Sequence, residues 1–288
     1  QSELAKVYEK DKKLLRFFLG DVRDKARLMI AMDQVDIVIH AAALKQVPAI
    51  EYNPFEAIRT NIIGAQNVIE AAAYSGVKKV IALSSDKATA PVNLYGATKL
   101  VSDKIFVAAN SMLSSKRTKF SVVRYGNVFG SRGSVVPLFL EQKKSKVFTV
   151  TDVNMTRFNL TLDHAVKFVF SSLEKMLGGE IFVPKLFSYK ILDLLESIAG
   201  KNNKIKVIGS RIGEKLHEEM ISVNDMSDIA EFKDFFVILP NSNMAQWNSS
   251  NYIKKYKGKK SSKNFSYNSF NNKNYLSVKQ LRDLLKKY

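Results

Sequence analysis

Between residues 14 and 125, short runs of branched and aromatic residues alternate with longer stretches whose apolar positions recur every three or four residues, and few architectures accommodate that alternation. Strand-like runs fall at residues 14–19, 35–40, 79–83 and 120–125. Helical patterns fall between them at 24–31, from Asn53-Pro54 to Ser75-Gly76, and at 95–112. Strands joined by crossover helices form a parallel sheet covered on both faces, so the run at 35–40 is expected to be buried on both sides. In such sheets ligands bind beyond the carboxyl ends of the strands. Gly20-Asp21-Val22, the stretch His40 to Lys45, Ser84-Ser85-Asp86-Lys87 and Tyr125-Gly126-Asn127-Val128 all stand there. The small residues Ala41, Ala42 and Ala43 would let a flat or phosphorylated ligand approach the backbone, or would simply pack against a helix.

After Gly130 the pattern loosens into a helix near 138–143, a strand-like run at 148–152, a helix at 162–176 and a strand at 181–183. From residue 192 a smaller α/β region is expected, closing on a helix that Ser277 caps and that carries Leu281, Leu284 and Leu285 on one face. The predicted fold is α/β: a doubly wound parallel sheet with a smaller C-terminal α/β substrate domain. Residues 1–130, with 156–190 returning, would form a dinucleotide-binding domain incomplete at its N-terminus, and 131–155 with 191–288 the substrate-binding region.

Of the 288 residues 46% are hydrophobic, enough for a large core. Cysteine is absent, which excludes disulfides, thiolate metal sites and cysteine nucleophiles and fits a cytoplasmic location. The three histidines are scattered, so no metal site is expected. The net charge of +18 attracts polyanions, but the excess is largely lysine near the C-terminus without an aromatic and arginine reading surface. A solvated surface is therefore expected and no nucleic-acid partner. No apolar stretch reaches the length of a membrane span.

Tyr95 and Lys99 lie four apart at a helix start, so an ammonium can stand beside a phenol and lower its pKa. By spacing alone the pair is commonplace on solvated helices. Ten residues earlier Ser85, Asp86 and Lys87 mark a polar strand end, where an acid beside a base could eliminate water across two neighbouring carbons or form an ordinary ion pair.

Asn61, Ser85 and Tyr95-Gly96-Ala97-Thr98-Lys99 resemble the extended short-chain dehydrogenases/reductases, whose fold is Rossmann-like. More narrowly, HAAALKQVPAIEYNP, ALSSDKA, NLYGATKL, VVRYGNVFGSRGSVVP, MTRF, GGEIFVPK and IGSRIGEKLHEEM are similar to the inverting UDP-N-acetylglucosamine 4,6-dehydratases of the pseudaminic acid pathway, over nearly the whole chain. The resemblance implies NADP as cofactor, with NAD the alternative, UDP-N-acetylglucosamine as substrate and a homo-oligomer. It places Asp21 and Val22 beside the adenine; Ala41, Lys45, Arg59 and Thr60 along the cofactor; and Tyr95 and Lys99 at the nicotinamide ribose. Lys45, Asn127, Val135, Thr151, Arg211 and Glu214 would meet the sugar nucleotide, and Val128, Phe129, Gly130, Ser131 and Arg132 both ligands.

It also implies a reaction. Tyr95 takes the proton of the 4-hydroxyl as hydride leaves carbon 4; Lys87, neutral, removes the carbon 5 proton; Asp86, protonated, assists departure of the 6-hydroxyl, with Ser85 beside them. Asp86 should then have a raised pKa and Lys87 a lowered one. The family's first strand, Gly-rich turn and second strand have no counterpart here, so the chain is expected to be truncated at its front. A 4-epimerase or reductase of the same fold, and a cofactor-less interaction protein, are the alternatives.

Overall fold

The computed structural model describes residues 1–11, 13–113, 117–131, 133–201, 203–210, 213–225, 228–241 and 247–287. Strands β1 (Ile37–His40), β2 (Lys79–Ser85) and β3 (Lys119–Tyr125) run parallel, Ile37 opposite Lys79 and Lys79 opposite Lys119. Strand Ile181–Pro184 joins β3 in the same direction. Parallel neighbours need crossovers, and the helical patterns supply them: the stretch Pro54–Ile58, Arg59–Ile63 and Gly64–Tyr74 leads from β1 to β2, and helix Leu94–Met112 from β2 to β3.

Both faces of β2 and β3 are dry. On one, Val80, Ala82, Phe120 and Val122 meet Val68, Ala72, Phe106 and Ala109 of the crossover helices. On the other, Ile81 and Val123 meet Val169 and Leu173 of helix Leu162–Lys175, with Tyr252 and Ile253 beyond. Each valine, leucine, isoleucine or phenylalanine buried in this way stabilises the fold by about 1.5–3 kcal/mol, which fixes the ends of the strands in place.

Three expectations are corrected. Residues 14–19 form no strand; Leu14 and Leu19 are exposed, and Arg27 holds the segment by donating Nε to Leu19 O (2.6 Å) and laying its guanidinium over Phe18. Branched apolar residues favour a strand only where a ladder partner exists, and among the described residues this segment has none. Strand β1 is not buried on both faces as expected: Val38 and His40 turn to the core on one face while Ile37 and Ile39 stay exposed on the other, and among the described residues it is an edge strand paired with β2 alone. Finally, Phe235–Ile238, Ile229–Glu231 and Lys259–Lys260, from the stretch expected to bind substrate, extend the main sheet antiparallel beyond Ile181–Pro184.

Beside the sheet, Val147–Val150 pairs with Lys204–Val207. Helices Val135–Gln142, Ile191–Ala199 and Val278–Leu285 enclose a second core around Phe139, Phe148, Leu194 and Leu281. Ser277 caps the last of these in a reciprocal arrangement with Gln280. Among the described residues no helix is long and apolar enough to cross a membrane.

Candidate active site

Strand β2 ends at Ser85, whose hydroxyl accepts from Lys87 N (3.2 Å) and donates to Asp86 Oδ1 (2.8 Å), folding Asp86–Ala88 into a single tight turn. Helix Leu94–Met112 packs directly on that turn. Gly96 permits this, because a Cβ there would collide with the Lys87 carbonyl. Asn93 caps the helix by accepting from Gly96 N (2.8 Å) and donates to Gly213 O (2.7 Å), tying residues 213–218 to the same corner. In the crossover before β2, Arg59–Ile63 is one π-helical turn, which turns Asn61 inward. Its side chain accepts from Leu44 N (2.8 Å) and donates to Leu44 O (2.9 Å) and Thr98 Oγ1 (3.0 Å), locking the loop after β1 to the helix bearing Tyr95 and Lys99.

Asp86 is fully buried and desolvation raises its pKa against the pull of Lys87, as the sequence predicts for a general acid. Lys87 departs from expectation. Its ammonium sits 3.1 Å from both Asp86 oxygens, 2.9 Å from Glu218 Oε1 and 3.5 Å from Asn127 Oδ1. Burial lowers its pKa, but the two carboxylates outweigh burial and raise it, so the resting group is a cation. Tyr95 is likewise shifted up rather than down, chiefly by desolvation, with Ser85 hydrogen bonding opposing. Lys99, buried and with its pKa lowered by that burial, donates to Leu83 O (2.7 Å) at the end of β2 instead of to the phenol.

Two residues of this centre have no role in the sequence reading. Glu218 stands just before strand Glu219–Ile221, its backbone N–H held by Ser269 Oγ (2.9 Å) and its carboxylate on Lys87. Arg157 comes from strand Thr156–Asn159 and reaches Glu218 Oε1 (3.4 Å) and Glu214 Oε1 (3.2 Å). Both lie inside stretches quoted above, in MTRF and GEKLHEEM, but only the fold shows that they meet Lys87.

Two clefts open at this point. One of 230 Å³ is lined by Lys87, Asn93, Asn127, Arg157, Glu214 and Glu218 among others. A second, of 460 Å³, shares Asn127, Arg157 and Glu214 and continues along Val128, Phe129, Gly130, Val135 and Thr151. The structure thus gathers Asn127, Val135, Thr151 and Glu214, while Arg132 and Arg211 lie outside the described residues. Ser131 N bonds to Val128 O (3.1 Å) at the rim. Lys45 and Ala41 are exposed beyond β1 and line neither cleft. Asp21 is forked by Arg23 (2.7 Å), which holds its pKa down at about 2; Arg23 also reaches Glu56 (2.9 Å), and Glu56 reaches Arg59 (3.2 Å). Thr60 follows within the π turn, and Val22 packs against Gly64. His40 packs on Phe106 with ring centres 5.6 Å apart, and His164 sits in the first turn of its helix. His217 Nδ1 bonds to Thr156 Oγ1 (2.9 Å) while its ring stacks on Phe270.

A parallel sheet whose second strand ends on an acid and a base, beside a helix starting Tyr-x-x-x-Lys, defines an extended short-chain dehydrogenase/reductase site. Residues 1–240 match the model of the polysaccharide biosynthesis protein family. An inverting UDP-N-acetylglucosamine 4,6-dehydratase of Campylobacter jejuni is 53% identical over 99% of this chain and 86% of its own length. A UDP-glucose 4-epimerase of Rickettsia canadensis is 45% identical over 78% of this chain and 67% of its own. The X-ray structure of Pen from Bacillus thuringiensis, 38% identical, superimposes with a TM-score of 0.85 over all of this chain and 87% of that one. The chain belongs to the polysaccharide biosynthesis protein family, and within it to the group of the inverting UDP-N-acetylglucosamine 4,6-dehydratases.

Proposed function

We propose that this protein removes water from UDP-N-acetylglucosamine between carbons 5 and 6 and inverts carbon 5, giving a UDP-2-acetamido-2,6-dideoxy-hexos-4-ulose. The observation that carries this reading is the buried Asp86 with its raised pKa, in contact with Lys87 at the mouth of a 230 Å³ cleft. A carboxyl whose pKa burial raises holds a proton to higher pH than a water-exposed aspartate does, and can hand it to a departing hydroxyl.

A nicotinamide dinucleotide, NADP by the chain's family resemblance, supplies a hydride acceptor at carbon 4 and returns the hydride to carbon 6. The residues present fit such a group. Lys99 uses one N–H on Leu83 O and keeps two for a ribose diol, with the Tyr95 phenol four residues away on the same helix face. The exposed, small Ala41, Ala42 and Ala43 leave the strand-end backbone open to close approach. Tyr95 would take the 4-hydroxyl proton as its phenolate, the form that burial opposes and that the Ser85 hydrogen bond and the Lys87 charge favour; the resulting ketone acidifies carbon 5, and Asp86 and Lys87 carry the elimination. Asn127, Glu214 and Arg157 orient the sugar where the two clefts meet, and Val135 and Thr151 line the longer cleft toward the nucleotide.

The epimerase relative favours a second reading, conversion at carbon 4 alone. Incubation with UDP-N-acetylglucosamine and NADP in deuterated water, followed by mass spectrometry and proton NMR, separates them. Loss of one water with deuterium and inverted configuration at carbon 5 is the expected result. A carbon 4 epimer of unchanged mass would replace it with the epimerase, and no turnover of the sugar nucleotide would overturn both.

A further inference from the structure

Elimination at carbons 5 and 6 requires Asp86 to hold a proton and Lys87 to have lost one, whereas the resting Lys87 is an ammonium. A proton must leave Lys87 before it can act, and the geometry shows where it can go. Glu218 Oε1 lies 2.9 Å from Lys87 Nζ, closer than either oxygen of Asp86. Arg157 Nε adds a second cation 3.4 Å from that same oxygen, so of the two carboxyl groups Glu218 is the more firmly held as a carboxylate and Asp86 the easier to protonate. Glu218 Oε2 is buried and, among the described residues, has no hydrogen-bond partner. Burial favours the neutral acid of Glu218, against Lys87 and Arg157, which together hold its carboxyl below the ordinary carboxylate range; the pull of Lys87 vanishes once its proton has moved, and the unpartnered oxygen can carry a proton.

We propose that Glu218 is the proton store of the site, a positioning residue that takes the Lys87 proton and so converts Lys87 to the amine that attacks carbon 5. The proposal rests on the dehydratase reading above. The step balances: a Lys87 N–H bond breaks and a Glu218 O–H bond forms. The amine then takes the carbon 5 proton, the C–H electron pair becomes the carbon 5–carbon 6 double bond, and the carbon 6–oxygen bond breaks. The Asp86 proton leaves with the hydroxyl as water. Asp86 is now ionised, Lys87 an ammonium and Glu218 an acid; passing the stored proton through Lys87 to Asp86 restores the starting state. The other groups around Glu218 are Arg157, Lys215, Glu214, His217, Tyr189 and Asp86. Arg157 cannot release a proton, and Lys215 is engaged by its bond to the Thr89 carbonyl.

The test compares wild type, Glu218→Gln and Glu218→Asp with UDP-N-acetylglucosamine and NADP, reading carbon 4 oxidation by reduced-nicotinamide absorbance and water loss by mass spectrometry across pH. In Glu218→Gln, oxidation should proceed near the wild-type rate while water loss slows on the order of a hundredfold, the scale of one general base. Its water loss should also rise about tenfold per pH unit, because Lys87 must now shed its proton to solvent. Glu218→Asp should restore water loss and abolish that slope. Equal slowing of oxidation and water loss with no added slope would make Glu218 merely structural and overturn the proposal, as would wild-type dehydration by Glu218→Gln. Wild type that oxidises but never dehydrates would instead overturn the reading of the reaction, and this proposal with it.

Discussion

Arg124 and Lys87 are both cations drawn out of water near the ends of parallel strands, and both are matched by carboxylates; they differ in whether any member of the cluster can pass a proton. Arg124, in β3, donates to Asp103 Oδ2 (3.1 Å), Thr89 Oγ1 (2.9 Å) and Met220 O (3.0 Å), with Asp225 at 3.7 Å, and its side chain is 2% exposed. A guanidinium stays protonated, so this network can only hold elements together. Lys87 is 22% exposed toward a cleft and shares two carboxylates, one raised and one lowered in pKa. The same helix, Leu94–Met112, supplies Asp103 to the first cluster and Tyr95 and Lys99 to the second. Burial of charge therefore says little about function by itself; titratability and an opening to solvent separate a clamp from a reaction centre.

The sharpest way to break this distinction is to neutralise each cluster. Asp86→Asn removes the transferable proton and should lower the dehydration rate by about 10²–10⁴, with no loss of thermal stability because an uncharged amide replaces a desolvated carboxyl. Lys87→Arg, which keeps the charge but cannot release it, should do the same. In wild type, activity should fall on the alkaline side as Asp86 ionises, since its work needs the protonated form. Rates near wild type in either variant would mean that the two clusters do not differ in kind.

Asp103→Asn is the mirror experiment. It leaves Arg124 buried with its principal counter-charge gone, and removing one partner of such a pair costs about 3–5 kcal/mol. Denaturant unfolding should show that loss, while whatever protein stays folded turns over substrate at close to the wild-type rate. A folded, inactive Asp103→Asn protein would tie the clamp to the chemistry.

Much of this contrast was hidden in the sequence for a physical reason. The helices at 54–74 and 94–112 and strands β2 and β3 were legible because their apolar residues follow the helical and buried-strand periods over many positions. The turn Ser85-Asp86-Lys87 was legible as a strand end. Residues 14–19 and the exposure of β1 were not, since periodicity reports propensity and says nothing about whether a neighbour is present. Arg157 and Glu218 are 61 residues apart and meet only through strands Thr156–Asn159 and Glu219–Ile221, so no local spacing announces them. The upward shifts of Lys87 and Tyr95 are hidden for a related reason: the Lys87 shift needs Glu218 in addition to its neighbour Asp86, and the Tyr95 shift comes chiefly from burial.

His40 sharpens the comparison from outside both clusters. Burial against Phe106, with a smaller contribution from the Lys99 charge, holds its pKa down at about 4 from an ordinary 6.5. The unfolded chain therefore binds a proton that the fold refuses between those values. Stability is fully present above pH 6.5 and declines as pH falls toward 4, by about 3 kcal/mol at 1.36 kcal/mol per unit. Unfolding titrations of wild type and His40→Phe should differ in that window and converge above it; parallel curves would mean that the acid sensitivity belongs to the carboxylate clusters.

Gly96→Ala tests the joint between the two clusters. A Cβ at this position meets the Lys87 carbonyl and lies 3.0 Å from Pro91 Cβ, and a backbone carbonyl cannot rotate away as a side chain would. The helix must back off the turn, at about 1–3 kcal/mol of overpacking. Asp103 sits two turns along, where the displacement is spread over the helix, so the Arg124 clamp should survive and the protein should fold. Tyr95 and Lys99 bracket Gly96 and would move with it relative to Asp86 and Lys87. Misplacement of that size costs up to about a hundredfold in rate, so oxidation at carbon 4 and water loss should fall together, unlike the split expected on changing Glu218. Stopped-flow measurement of both steps in one reaction distinguishes the two patterns, and a Gly96→Ala enzyme slowed only in water loss would place the joint's influence on the acid and base alone.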